Sequence, residues 1–143
     1  MWMLQPMAIL AIGLATALSG CAGLDTQSAD GPCLGDTPEC VAERTAMVRG
    51  MSSDPSRAWI GQSVGPGTAA SGVRLFAYQN VRDKLSCPQL AVAVQELDAA
   101  KQLLAGGPAP GQTMLRHNDI KAMTNDVRAS LATSKQKKCG AGT

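Results

Sequence analysis

Residues 86–104 read SCPQLAVAVQELDAAKQLL, and this stretch decides the fold class. Leu90, Ala93, Val94, Leu97, Ala100 and Leu104 recur three and four positions apart, the spacing of one apolar stripe on an α-helix. Ahead of them, Ser86 is followed three residues later by Gln89, with Pro88 inside the helix start, which is the pattern of a capping box. Gly106 to Gly111 ends the run with glycine and proline. The spacing thus predicts a helix over about 88–105.

Working outward, the same signals recur. On the C-terminal side a helix is predicted over about 112–137, with Ile120, Met123, Val127 and Leu131 inward. On the N-terminal side Thr68 is positioned to cap a helix over about 69–85, carrying Val73, Phe76, Ala77, Val81 and Leu85. Before that, Asp36-Thr37-Pro38-Glu39 supplies an N-cap, a proline at the first helical position and an acid in the first turn. That helix reaches about Met51, with Val41, Thr45, Val48 and Met51 on one stripe. Ser53-Asp54-Pro55 then restarts the chain as a short turn, and Gly61 to Gly67 forms a loop. There is no internal repeat and no strand-like alternation. The expected fold is all-α, a small four-helix up-and-down arrangement over residues 37–143.

Composition agrees with helices. Aromatic residues are 3% of the chain, so aliphatic side chains and alanine must build the core, whereas strands favour aromatic and β-branched residues. The 13 basic and 11 acidic residues leave a net charge of +2, too mild for a nucleic-acid partner, and no nucleic acid is expected. The signs are segregated: Asp25, Asp30, Asp36, Glu39 and Glu43 precede the first basic residue, Arg44, and Lys135, Lys137 and Lys138 crowd the C-terminal end.

In an up-and-down bundle the starts of the first and third helices and the ends of the second and fourth share one end. Cys33, Cys40, Cys87 and Cys139 are all expected there, stapling the domain with two disulfides. Two pairings are compatible with that placement: Cys87 with Cys139 and Cys33 with Cys40, which is preferred, or Cys40 with Cys87 and Cys33 with Cys139. Zinc is disfavoured because the nearest cysteines are seven positions apart and His117 is the single histidine; thiol redox catalysis lacks a C-x-x-C pair. No metal and no cofactor are expected.

The first twenty residues carry no charged side chain, and Met7 to Leu18 is almost wholly apolar, too short to span a bilayer. Leu18-Ser19-Gly20-Cys21 resembles the lipobox of bacterial lipoproteins, although no Lys or Arg precedes the apolar core. The resemblance implies a signal peptide over 1–20, cleavage between Gly20 and Cys21, a diacylglyceryl group on the Cys21 thiol and a further acyl chain, such as palmitate, on the new amino terminus. Two or three acyl chains hold a protein at a membrane essentially permanently. Ala22 follows the cysteine, and the absence of Asp there implies, by likeness to enterobacterial lipoproteins, an outer-membrane anchor facing the periplasm. The alternative is an ordinary secreted leader cut after Ala17, leaving Cys21 a fifth thiol. Residues 21–36 read as a lipidated tether rich in Gly, Asp, Ser and Pro.

Chemistry is sparse. His117-Asn118-Asp119 joins a base to a carboxylate, yet adjacent helical positions do not face each other, so His117 is expected as a packing residue. Gly61, Gly65 and Gly67 lack the following lysine of a phosphate loop. Arg57 and Trp59, types that often anchor interfaces, make residues 54–60 the candidate contact segment, unless Trp59 packs over the bundle. The expectation is a non-enzymatic envelope lipoprotein serving as a structural or protein-interaction module. The alternative is a periplasmic small-ligand-binding or hydrolase-inhibitor module. With every cysteine at the tethered end, that end and the C-terminal lysines would face the membrane.

Overall fold

Ser86 acts as its spacing predicts: its hydroxyl accepts from the Gln89 backbone N–H, and the Gln89 side chain accepts from the Ser86 N–H. The computed structural model describes residues 31–140. The leader, Gly20, Cys21 and the chain to Asp30 lie outside the described residues. Five α-helices and no strand are present among the described residues: α1 Pro38–Ser53, α2 Pro66–Ser71, α3 Val73–Val81, α4 Cys87–Leu103 and α5 Met114–Cys139. Short 3-10 turns follow α3 and α4. Thr37 caps α1, its hydroxyl accepting from the Cys40 N–H, and Thr113 caps α5 in the same way through Arg116.

The helix expected over 69–85 is broken. Gly65 rather than Thr68 precedes its first turn, and Gly72 (φ 76°) ends α2 and begins α3. Only glycine adopts that conformation freely, and a Cβ at Gly72 would meet Ile120 Cδ1 at 2.5 Å. Gly72→Ala is therefore expected to cost about 1–2 kcal/mol through the left-handed backbone alone, with the Ile120 side chain rotating away. Chemical denaturation would show it, and an unchanged midpoint would refute the strain.

The direction of α1 also differs from the expected up-and-down order. Asn80 near the end of α3 donates to the Ser52 hydroxyl near the end of α1, while Arg44, Ser71 and Arg116 meet around the starts of α1, α3 and α5. Hence α1, α3 and α5 run one way and α4 runs against them, its Asp98 bridging Arg128 of α5. The cause is residues 54–65. The expected short turn and Gly-rich loop instead double back along α4, with Gly61 to Val64 lying beside Val92 and Leu103. A chain of that length can extend to about 40 Å, enough to return the whole way. The reversal starts in a tight turn, where the Asp54 carboxylate accepts from the Ser56 N–H, the Ser56 hydroxyl and the Ala58 N–H, and Arg57 takes a positive φ of 49°.

Both preferred disulfides are present, Cys33–Cys40 and Cys87–Cys139, with Cα atoms 5.3 and 5.8 Å apart. They do not share an end. Cys33–Cys40 sits beside the start of α5, and Cys87–Cys139 closes its finish; Arg116 and Cys139 are about 35 Å apart along the helix at 1.5 Å per residue. The core explains the arrangement. α3 lies in the middle and is buried nearly all round, including Val73, Leu75, Ala77, Tyr78 and Val81. Leu75, Ala77, Tyr78 and Val81 form the main cluster with Trp59, Leu85, Leu90, Ala93, Leu97, Val127 and Leu131. The α1 stripe meets it through Met51, while Val41 is 45% exposed and Arg44 is the buried residue of that helix. Residues 31–36 belong to the domain rather than to a tether, since Pro32 is buried and Leu34 packs against Leu104, Ile120 and Ala70.

Candidate functional site

Trp59 is the first residue to place, because it was the candidate contact. It is 7% exposed, and its indole N–H donates to the Met51 carbonyl at 2.9 Å. The returning segment carries it into the core rather than over an open end. Its ring lies 4.8 Å from that of Tyr78, centroid to centroid, so it offers no free face to a partner. Arg57 stays partly exposed at the turn.

Trp59 belongs to a buried polar cluster that the sequence did not flag. Arg74 is 6% exposed and forms a bidentate pair with Glu96; it also donates to the Trp59 carbonyl and stands 5.1 Å over the Trp59 ring. The Tyr78 hydroxyl donates to the same Glu96 carboxylate at 2.6 Å. One guanidinium thus joins α3, α4 and the returning segment. The available signal was a charge inside each apolar stripe: Arg74 and Tyr78 are one helical turn apart, on the same face, and Glu96 adjoins Leu97.

Burial, and next the hydrogen bond to Glu96, push the Tyr78 phenol far above the ordinary tyrosine range. In the unfolded chain it ionises near pH 10. The raised folded value means this contribution to stability is complete below about pH 10 and is lost as pH climbs beyond it. Tyr78 is the single tyrosine. Tyrosinate absorbance is therefore expected to rise together with loss of helix in an alkaline titration; ionisation preceding unfolding would contradict the burial.

A second arrangement lies between α1 and α3. Val41, Thr45 and Val48 face Val73, Phe76 and Asn80 across an open groove of about 350 Å³, closed at one end by Arg44 and Arg116. Arg44 donates to the carbonyls of Cys33 and Gly35 at 2.7 and 2.6 Å, which holds the disulfide loop against α1. Burial, and then the charge of Arg116, lower its pKa, with Asp36 and Glu43 opposing. Arg116 reaches the Ser71 carbonyl at 3.0 Å and Asp36 at 3.5 Å, leaving its Nε buried without a partner. Mostly apolar walls with a few polar groups are what small-molecule sites present, and this volume is at the small end of their range.

His117 is 2% exposed with its Nδ1 unpartnered, and no nucleophile is bonded to it. Asp119, beside it in sequence, is exposed. No group of three or more metal-capable side chains occurs among the described residues, and none of the helices described there is long and apolar enough to cross a membrane. Comparison with protein-family models, with curated proteins and with solved structures finds no match to this chain.

Proposed function

We propose that the chain is a lipid-anchored protein of the bacterial cell envelope, a non-enzymatic structural or protein-interaction module held by Cys21 and facing the periplasm. The observation that carries the reading is the pair of disulfides, in a domain that follows a stretch resembling a lipobox. Disulfides persist in oxidising compartments and are rare in the cytosol. A leader ending at Gly20-Cys21 would deliver the domain to such a compartment, and an outer-membrane address is part of the proposal. Metabolic labelling with a clickable fatty acid tests it. Label is expected on the full chain and absent after Cys21→Ser; an unlabelled chain would sink the reading.

A second reading, a small-ligand module, is favoured by the α1–α3 groove. It predicts uptake of an apolar fluorescent dye such as N-phenylnaphthylamine, abolished by Val48→Trp, which fills the groove from the partly exposed face of α1. Equal dye binding by both proteins would remove it.

A further inference from the structure

The large apolar side chains that stand exposed among the described residues are Val41, Leu103, Met114 and Leu115. Scattered singly they would need no explanation. Here they gather at one end of the domain: Val41 near the start of α1, Leu103 at the finish of α4, Met114 and Leu115 at the start of α5. Val41 turns into the groove. The other three border residues 102–115, a stretch without any Asp, Glu, Lys or Arg. Met114 and Leu115 are 60% and 74% exposed, so the helix start projects both into solvent.

The chain coming from Cys21 arrives at this same end. Leu34 packs on Leu104 and Ile120, and Asp36 meets Arg116 one residue past Leu115. Residues 22–30 reach at most about 30 Å when extended. Two lysines border the uncharged tip, Lys101 and Lys121 standing near Leu104, while Arg116 is turned to Asp36 and the Ser71 carbonyl. Glu39 and Glu43, both exposed, stand on the α1 side of this end, so the basic and apolar side is the α4–α5 corner. Exposed apolar side chains with Lys101 and Lys121 nearby suit the boundary between acyl chains and anionic headgroups, and the exposed Asp119, one helical turn past Leu115, marks where the corner gives way to solvent.

We infer that the α4–α5 corner, through Leu103, Met114 and Leu115, rests in the headgroup layer of the lipid surface that holds Cys21. The inference builds on the anchored reading, which supplies the surface. It corrects the expected orientation. Lys135, Lys137 and Lys138 lie at the far end with Cys87–Cys139 and point away from the membrane, and the groove lies on the flank. A tether alone would let the domain tumble, whereas this second contact gives it one orientation.

The test uses the full chain in vesicles of phosphatidylethanolamine and phosphatidylglycerol with acyl-brominated lipid, comparing Leu115→Trp with Gln136→Trp. Both positions are exposed, so the fold is retained, and the unsubstituted protein supplies the baseline of Trp59 and, where the leader is kept, Trp2. Met114→Trp serves as a second corner variant. Corner tryptophans are expected to shift to the blue and lose most of their added emission, and Gln136→Trp to keep its own. Fatty-acid label on Cys21 is read separately. A labelled protein whose corner tryptophans stay unquenched overturns the inference and leaves the anchor standing, and the corner then faces a protein or solvent. In an unlabelled protein the anchored reading fails. Vesicles added to that protein still decide the contact, quenching at the corner supporting it and none overturning it.

Discussion

Replacing Cys87 and Cys139 together by serine is expected to lower the unfolding free energy by about 4 kcal/mol, while the same change at Cys33 and Cys40 costs about 2.5 kcal/mol. The difference follows from the loops they close, with sequence separations of 52 and 7. The first cross-link removes far more freedom from the unfolded chain. It also ties the start of α4 to the finish of α5, where Lys138 adds a hydrogen bond to the Leu85 carbonyl at 2.6 Å. For a domain of this size the larger loss corresponds to a fall in Tm on the order of 15–25 °C. Thermal unfolding followed by circular dichroism, with and without reductant, checks both values. Equal losses for the two pairs would show that local packing, rather than loop closure, sets the benefit. A small domain with few aromatic residues has little core to spare, so much of its stability rests on one cross-link.

The parts of this structure that were legible in the sequence are the locally encoded ones. Thr37, Ser86 and the prolines at helix starts act within a few residues, and the stripes of α4 and α5 bury most of the residues their spacing names, Val94 and Met123 staying half-buried and Thr124 being buried without having been named. The preferred disulfide pairing also holds, although the argument for it placed all four cysteines at one end. What the sequence concealed was the direction of a connection. Antiparallel neighbours follow from short loops, and residues 54–65 are long enough to cross the domain instead. That one reversal puts the disulfides at opposite ends, carries Trp59 into the core rather than to a contact surface and turns the C-terminal lysines away from the tethered end. The α1 stripe misled for a related reason: α3 is the helix α1 packs on, and Val41, Thr45 and Val48 border an open groove beside it. The break at Gly72 was concealed because glycine within a periodic stretch is compatible with an unbroken helix; only the approach of Ile120 shows why the left-handed residue is needed.

Glu96→Ala is expected to destabilise the domain by about 3–5 kcal/mol, the cost of leaving one partner of a buried ion pair without its counter-charge. Arg74 would then be a buried cation with only the Trp59 carbonyl and two aromatic faces to hold it, and the Tyr78 hydroxyl would lose its acceptor. Arg74→Met alone is expected to be comparably harmful. It strands Glu96 and also frees the Trp59 carbonyl, loosening the segment that sets the direction of α1. The double change Arg74→Met with Glu96→Leu separates two accounts of the cluster. If the pair matters chiefly because each charge must be matched, the double variant recovers most of the loss, since well-packed apolar pairs replace buried ion pairs at little cost. If Arg74 matters chiefly as the clamp on the returning segment, the double variant stays destabilised and protease cleaves within residues 54–65 faster than it does in the unsubstituted protein. The three-way bonding of Arg74 favours the second outcome, because no apolar side chain replaces a donor to the Trp59 carbonyl. Urea unfolding of the two single variants and the double one, with limited proteolysis of each, gives the coupling energy and the site of opening. Full recovery without new cleavage would reduce the cluster to a matched pair of charges.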